Sequence, residues 1–407
     1  MKALFILIFI TFGTACLRAQ VPGNTSDFQL GKGITFTFND GEQVLNAGGF
    51  LQLHGYYIKP EGKQSEGNFG INRAYTHLRG DFLSNKLGLF LQLDLAQPNP
   101  ILDAWMAYNL DTDFRITIGQ KQSFSGTRSL MFYDQTLALA NRSLAVNTFF
   151  GAGRELGVFI EKRLGFAAMG ADLGVAITSG DGMNSFGANA TDFDKGGAKY
   201  SARATWFPLG FFTKDNELSG SDFYRENDLK IAIGGAYSYN DGASSANGEG
   251  HAHFLFYDSK GKEAYPVYQK ISVDILLKYR GFTFLSEYTN ATASDLDKLH
   301  FNADGNSPLL PKQIANYLIL GNGYTFQAGY LTPNNWAVDA SVSFMAPEWD
   351  EATTLINDSS EIAFGVSKYI IDNRFKIQLL NSFTKIKDAQ NQSTNNFFTG
   401  LNIHLVF

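Results

Sequence analysis

Apolar and polar side chains alternate along most of this chain, and this alternation limits the folds that are open to it. In KLGLFLQLDL every second residue from Leu87 to Leu95 is leucine, with glycine, phenylalanine, glutamine and aspartate between them. The last stretch of the sequence, NNFFTGLNIHLVF, alternates in the same way from Leu401 to Phe407. A period of two predicts β-strands that are apolar on one face.

The predicted strands are about 10–14 residues long, whereas strands of soluble proteins usually have about 5–6 residues. Tilted strands that cross a membrane have the greater length. A β-sandwich would also alternate, but its apolar final strand would be an unpaired edge, which invites aggregation. A closed barrel pairs that edge and turns the apolar face to lipid. We therefore predict an all-β fold, a 16-stranded antiparallel transmembrane β-barrel with short periplasmic turns and long extracellular loops.

Sixteen strands are predicted, an even number as in closed bacterial barrels. Their ranges are 48–58, 70–82, 86–95, 101–109, 113–122, 153–163, 166–179, 197–208, 228–240, 267–280, 281–293, 322–332, 335–346, 359–371, 374–388 and 395–407. Residues 33–47, which include ITFTFND, are predicted to form a small hairpin ahead of the barrel.

Short turns alternate with longer connections between these strands, so the short turns and both termini are predicted at one rim, facing the periplasm. The short turns are Leu83-Ser84-Asn85, Asp111-Thr112, Leu164-Gly165, Arg280-Gly281, Pro333-Asn334 and Asp372-Asn373. The connection 209–227 breaks the alternation because it is long where a short turn is due. This length indicates either a miscounted strand or an insertion on the short-turn side.

The N-terminus, MKALFILIFITFGTACLRAQ, has the pattern of a secretory signal peptide. Lys2 precedes a short apolar run, and Ala19 is a suitable cleavage point. The sole cysteine, Cys16, lies inside this segment, so cleavage at Ala19 leaves no thiol chemistry or disulfide in the mature chain. The alternative is a lipoprotein in which Cys16 is lipidated.

Composition agrees with an exported barrel of one domain. We predict a signal peptide at 1–19, an N-terminal periplasmic segment with the small hairpin at 20–47, and the transmembrane barrel at 48–407. The chain has 41 glycines, 36 phenylalanines and a mean hydropathy of −0.13, which suits a barrel that is apolar outside and polar inside. Removal of the signal's two cations changes the net charge from −6 to −8, which argues against a nucleic-acid partner.

Basic residues recur on the polar faces of two predicted strands. INRAYTHLRGD carries Arg73 and Arg79 on one face, and FRITIGQKQ carries Arg115 and Lys121 on one face. A charge on the lipid face costs about 2–4 kcal/mol near the membrane midplane, so we expect these side chains to face the lumen. Rings or ladders of arginine and lysine are the means by which pores attract anions.

The long connection 123–152 is expected to fold inward as a constriction loop that carries Arg128 and Arg142 into the lumen. Across 70–163 there are ten basic residues against eight acidic ones, which is a slight basic bias. Two interpretations stay open. The basic residues form a ladder that guides anions, or they pair with carboxylates along the mixed-charge wall of a general porin.

The stretch 70–163 resembles the phosphate-selective porin O/P family of outer-membrane channels. The resemblance rests on Asn72-Arg73-Ala74, Leu102-Asp103-Ala104, Gly119-Gln120-Lys121, Asn141-Arg142-Ser143 and Arg154-Glu155-Leu156-Gly157. It implies a homotrimer of sixteen-stranded barrels in the Gram-negative outer membrane. It also implies that basic residues, Arg154 among them, line the pore and bind small anions such as phosphate. The terminal Phe407 resembles the insertion signal that the barrel-assembly machinery reads.

The sequence thus favours an outer-membrane porin for passive diffusion of small hydrophilic solutes, with a preference for anions as a further hypothesis. An enzyme is not expected, because no convincing nucleophile–base pair is present and His54, His77 and His404 are predicted to point inward. No cofactor is expected, and His251 with His253 provides too few ligands for a metal site. The alternative is a non-conducting or plugged barrel that docks with an outer-membrane complex, which a blocked lumen would reveal.

Overall fold

The computed structural model describes residues 23–151, 153–184, 196–249, 253–349, 353–390 and 392–407. The predicted signal peptide, with Cys16, and His251 lie outside these ranges. The described strands are β1 (Thr25–Gln29), β2 (Gly33–Phe38), β3 (Gln43–Pro60), β4 (Glu66–Phe82), β5 (Leu87–Asp94), β6 (Ile101–Asn109), β7 (Phe114–Gln122), β8 (Arg154–Phe166), β9 (Met169–Thr178), β10 (Lys199–Phe207), β11 (Lys230–Asp241), β12 (Phe256–Tyr257), β13 (Glu263–Ala264), β14 (Val267–Tyr279), β15 (Phe282–Ser294), β16 (Gly321–Leu331), β17 (Trp336–Pro347), β18 (Asp358–Ile371), β19 (Phe375–Lys387) and β20 (Ser393–Val406). The helices are α1 (Arg128–Met131) and α2 (Leu144–Phe150), with short 3-10 turns at Asn39–Gly41, Asp134–Thr136, Thr213–Leu218, Leu296–Lys298 and Pro311–Asn316.

Sixteen antiparallel strands, β3 to β11 and β14 to β20, form one closed sheet. The sheet closes where β20 pairs with β3, from Asn396 opposite Pro60 to Val406 opposite Phe50. Each of the sixteen predicted strands overlaps one of these, so the predicted 16-stranded barrel is confirmed. The small β12–β13 hairpin lies in the connection between β11 and β14.

Short turns follow β4, β6, β8, β14, β16 and β18 at one end of the barrel, the short-turn rim. The opposite end carries the long connections and is the long-loop rim. The turn predicted at Leu164-Gly165 is wrong by a few residues, because β8 and β9 stay paired up to Phe166 opposite Met169. The chain reverses at Ala167, whose φ of 46° lies in the left-handed region that tight turns require.

The outer surface of the barrel is apolar, as the alternation predicts. Ile118, Val175 and Ile362 are each more than half exposed on outward faces. Aromatic side chains are also exposed near both strand ends, for example Trp336 at the short-turn rim and Tyr200 at the long-loop rim. Aromatic bands at both borders of an apolar belt are characteristic of membrane barrels. None of the described helices has the length and apolar character needed to cross a membrane.

The N-terminal strands extend the wall at the short-turn rim. β1 pairs with β2, and β2 pairs with the start of β3, from Ile34 opposite Ala47 to Phe38 opposite Gln43. β20 pairs with the same edge of β3 farther along the strand. The two pairings meet at Gly49, which exchanges backbone hydrogen bonds with Phe407 at 2.7 and 2.9 Å. β3 therefore begins five residues before its predicted start, and two strands share one of its edges.

Two of the described connections fold into the barrel. We call the described residues 123–151 and 153, which contain α1 and α2, the inner loop, and residues 208–229 the turn-side segment. α2 begins after Ser143, whose Oγ accepts the Val146 N–H at 3.3 Å as a helix N-cap. Its Phe149 and Phe150 are buried in an apolar cluster with residues of the connections after β11, β15 and β17. The inward course expected of 123–152 is therefore present.

Candidate functional site

The inner loop is bound along its length by side chains from the lumen face of the wall. Gln378 makes two of these bonds: its Nε2 donates to the Ala138 carbonyl at 2.6 Å, and its Oε1 accepts the Ala140 N–H at 2.7 Å. The wall residues that bond the loop backbone in this part of the barrel are Arg203, Lys270, Ser272, Glu287, Ser343, Glu361, Lys376 and Gln378. Hydrogen bonds from six strands hold the loop in one position across the lumen.

A buried ion cluster ties α1 to the wall. Arg128 Nε donates to Asp274 Oδ1 at 3.0 Å, and Arg203 Nη2 bonds the other oxygen of the same carboxylate. Arg128 is 1% exposed, so the structure does not bring this predicted residue to an accessible surface of the lumen. A charge buried in this way is stable only when paired, and here Asp274 serves two cations.

The turn-side segment accounts for the long connection 209–227. It is an insertion that folds into the short-turn end of the barrel, and no strand was miscounted. Lys278 Nζ donates to three of its backbone carbonyls, those of Asn216, Ser219 and Ser221, at 2.6–2.9 Å. The segment also meets the inner loop, because the Gly220 N–H donates to the Thr136 carbonyl at 2.9 Å.

These two connections divide the lumen. On the side of β10 to β19, which we call the filled half, lumen-facing side chains such as Lys270, Asp274 and Lys278 are at most 1% exposed. On the side of β3 to β8, the open half, Arg73 and Arg154 keep 16% and 17% of their side-chain surface exposed. Between the inner loop and the open half lies a cavity of about 430 Å³. Its lining includes Asn72, Arg73, Tyr75, Asp94, Gln97, Asn99, Leu102, Gln122, Asp134, Arg142, Asn147, Arg154 and Met183.

Three of the predicted basic residues meet at this cavity. Asp134 of the inner loop pairs with Arg142 at 2.5 Å and with Arg73 at 3.7 Å, and its second oxygen accepts the Tyr75 hydroxyl at 2.7 Å. Arg154 pairs instead with Asp103, at 2.8 Å. The cavity wall is therefore a network of paired charges.

The electrostatics of this network favour ionised Asp134. Burial by itself would raise the pKa of the Asp134 carboxyl, but the adjacent guanidinium groups of Arg142 and Arg73 outweigh burial. The pKa of Asp134 is therefore held well below its usual range. Each of the three nitrogens of Arg142 already has a protein acceptor, since Nη1 pairs with Asp134 while Nε and Nη2 donate to the carbonyls of Ser129 and Phe132 at 3.0 Å. Its role in the structure is to brace the inner loop.

The remaining predicted residues lie in the open half, apart from the cavity. Arg79 pairs with Asp81 at 3.0 Å and is 57% exposed. Lys121 pairs with Glu161 at 2.8 Å and lies over the ring of Phe159. Arg115 Nε donates to the Asn109 side chain at 2.8 Å. The structure thus brings Arg73, Arg142 and Arg154 together and leaves Arg79, Arg115 and Lys121 outside that group.

The structure contains a second set of lumen-facing cations outside 70–163, which the sequence predictions do not include. These are Lys199, Arg203, Lys270, Lys278 and Lys376, all buried on the filled half. The signal was present in the sequence, because KISVDILLKY places Lys270, Asp274 and Lys278 opposite its apolar face. The alternation does not predict the position of the inner loop, and that position decides whether such a charge is covered.

Two of the described histidines contact polar side chains. His404 is buried, with Nε2 3.1 Å from Gln52 Nε2, and His77 Nε2 lies 3.1 Å from Asn46 Oδ1. Among the described residues, no group of three or more histidine, cysteine, aspartate or glutamate side chains is arranged to hold a metal ion.

Solved barrels share this fold at low sequence identity. The outer membrane channel DcaP of Acinetobacter baumannii has a TM-score of 0.57 at 12% identity, over 91% of this chain and 99% of that chain. The anion-selective porin from Comamonas acidovorans has a TM-score of 0.54 at 12% identity, over 90% and 100%. The trimer form of OmpT from Vibrio cholerae has a TM-score of 0.50 at 10% identity, over 90% and 99%. No family model and no curated protein matches the sequence. These likenesses establish the porin fold.

Proposed function

We propose that this chain is an outer-membrane porin through which small hydrophilic solutes diffuse passively. The observation that carries the proposal is the inner loop, which crosses the lumen and leaves a polar, arginine-lined cavity beside the open half. A sixteen-stranded barrel is wide enough for an aqueous channel. A loop bound within it narrows that channel to one side, where solutes meet paired arginines and carboxamides.

In this proposal the barrel spans a Gram-negative outer membrane, with both termini in the periplasm and the long loops outside. The apolar outer surface with aromatic residues near both rims supports a lipid environment. The Vibrio cholerae barrel with this fold is described as a trimer, which supports a homotrimer here. Phe407, whose backbone pairs with Gly49 at the closure of the sheet, is the proposed signal for the barrel-assembly machinery.

For selectivity we propose a mixed-charge channel with a modest anion preference. Arg73 and Arg154 are the residues best situated to attract anions, because part of each guanidinium is open to the cavity. Arg128 contributes little because it is buried, and Arg142 contributes less than Arg73 and Arg154 because each of its nitrogens already has a protein acceptor. Tight phosphate binding, which the resemblance implies, stays a prediction. The anion-selective porin with this fold supports the general direction of the preference.

The test is the reversal potential of the purified protein in a planar bilayer across a KCl gradient, followed by titration with phosphate. We expect clear conductance with a small anion-directed potential. Phosphate block at low concentration would support a dedicated phosphate channel. A cation-directed potential would contradict the anion preference and leave the porin in place.

The second candidate function is a plugged barrel that docks with an outer-membrane complex. One observation in the filled half favours a plugged barrel. The inner loop and the turn-side segment meet across the lumen through Thr136 and Gly220. Absence of conductance in the same bilayer experiment, with folded protein shown by circular dichroism, would favour docking over diffusion.

A further inference from the structure

The cavity in the open half carries unused hydrogen-bonding groups of both charges. Arg154 bonds Asp103 through Nε, while its two terminal nitrogens have no acceptor among the described residues. Arg73 uses Nη1 for the Ala140 carbonyl at 3.1 Å and for Gln52, and its Nη2 has no acceptor in the same part of the chain. Two guanidinium groups therefore retain donors for a solute. A carboxylate is the usual partner of such a fork.

A carboxylate oxygen is also free at the same cavity. Asp94 Oδ1 accepts the backbone N–H groups of Ala74 and Ala96, each at 3.0 Å. Asp94 Oδ2 bonds no donor within the described ranges, and no cation forms an ion pair with Asp94 there. An ammonium group is the natural partner of such an oxygen. Asp94 on β5 lies opposite Tyr75 on β4, so its carboxylate lies close to the strand that carries Arg73.

The other lining groups are neutral and can both donate and accept. Five carboxamides border the cavity: Asn72, Gln97, Asn99, Gln122 and Asn147. The cavity volume of about 430 Å³ lies within the range of small-molecule sites. The charges also balance, because Arg73, Arg142 and Arg154 are opposed by Asp94, Asp103 and Asp134. A wall without net charge favours a solute that carries both charges over an inorganic anion.

We propose that this cavity is a binding subsite for a small zwitterion of the amino-acid or short-peptide class. The solute carboxylate is bound by the terminal nitrogens of Arg154 and by Arg73 Nη2, and the solute ammonium is bound by Asp94 Oδ2. The carboxamides bond the peptide groups between them. This subsite rests on the proposed diffusion function, for which it names the preferred solute.

The experiment measures block of single-channel current by three related compounds. Glycylglycine carries both charges, N-acetylglycylglycine only the carboxylate, and glycylglycinamide only the ammonium. Each charge-assisted contact adds affinity, so we expect glycylglycine to block at a concentration about tenfold lower than either derivative.

Two variants assign the charges. Asp94→Asn keeps an acceptor for Ala74 and Ala96, and it should remove the advantage of glycylglycine over the acetylated peptide without changing block by the latter. Arg154→Gln should remove the advantage over the amide. The matched controls are Lys162→Gln, on the same strand at the short-turn rim, and Asp358→Asn at the long-loop rim, and both should behave as the wild type.

Equal block by all three compounds, or unchanged block in both variants, would overturn the subsite. So would stronger block by phosphate or by glucose, which would identify an anion site or an uncharged-solute site. If the wild type does not conduct, the diffusion function fails. The subsite is then decided by calorimetric titration of glycylglycine into the purified protein and its variants.

Discussion

The strands of both halves of the barrel alternate in the same way, but their lumen-facing charges have different roles. On β14, in the filled half, Lys270, Asp274 and Lys278 are sealed under the inner loop and the turn-side segment. On β4 and β8, in the open half, Arg73 and Arg154 pair with carboxylates yet keep part of their guanidinium groups open. Lumen-facing charge is therefore structural where a loop covers it, and available to solutes where no loop does.

The largest expected effect is on the buried ion cluster. Asp274→Ala leaves Arg128 and Arg203 buried without their shared carboxylate, which should cost about 3–5 kcal/mol of unfolding free energy. Asp81→Ala removes the partner of the exposed Arg79 in the open half, which should cost about 1 kcal/mol or less. Equilibrium urea unfolding of the reconstituted protein measures both. Equal losses would erase the distinction between the halves.

A smaller effect is expected where the wall holds the inner loop. Glu287 accepts the Ser129 N–H at 2.7 Å and its hydroxyl at 2.9 Å. Glu287→Ala leaves both donors unbonded and should cost about 1–3 kcal/mol, with increased current noise as the loop loosens. Glu287→Gln retains an acceptor and is the matched control. If the alanine variant is as quiet and as stable as the glutamine variant, this contact does not hold the loop.

Charge reversal in the open half should change selectivity in a barrel that still folds. A unit charge about 4 Å from a passing ion in water is worth about 1 kcal/mol, or roughly fivefold in relative permeability. Because each reversal changes the local charge by two units, Arg73→Glu and Lys121→Glu should lower anion over cation permeability by at least that factor in reversal-potential measurements. Lys368→Glu, on the outward face of β18 near the short-turn rim, is the control. Unchanged selectivity in both variants would remove these residues from the conduction pathway.

The smallest effect is a difference in pH dependence between two carboxyls. Burial raises the pKa of Glu217 in the turn-side segment, against the opposing effect of its backbone contact and Arg163. A raised carboxyl pKa means that the folded state binds protons more readily, so this part gains stability as the pH falls through that pKa. The pKa of Asp134 is lowered, so its contribution is complete above the unfolded pKa and is lost only at more acidic pH.

The measurement compares the unfolding free energy of the wild type with that of Glu217→Gln and Asp134→Asn between pH 8 and pH 5. The wild type should gain unfolding free energy relative to Glu217→Gln as the pH falls over this window. The difference from Asp134→Asn should stay constant. The reverse pattern would contradict the environments described for the two carboxyls, burial for Glu217 and pairing with arginines for Asp134.

Much of the fold follows from local sequence. The period of two locates all sixteen strands, because each strand needs an apolar face for lipid and a polar face for the lumen. The turn after β8 was predicted too early because Leu164-Gly165 has turn-like residues, whereas the pairing of β8 with β9 continues past it. The inward course of 208–229 was not predictable from its length, since it depends on Lys278, which lies about sixty residues away in the sequence.

The candidate site was predictable only in part. The resemblance across 70–163 includes Arg73, Arg142 and Arg154, which do meet at the cavity. It does not indicate that Arg142 bonds two backbone carbonyls, because those bonds depend on the local path of the inner loop. Nor does it indicate the free oxygen of Asp94, a residue whose neighbours suggest only a strand end. Non-local packing decides which charges remain available.

The shared edge of β3 has a consequence for how the cylinder closes. Side chains keep their faces only if strand register changes in steps of two residues. A step of two toward the short-turn rim would bring Phe407 opposite Ala47, a position already taken by Ile34 of β2. The N-terminal hairpin therefore prevents this register shift, and β20 keeps Phe407 beside Gly49.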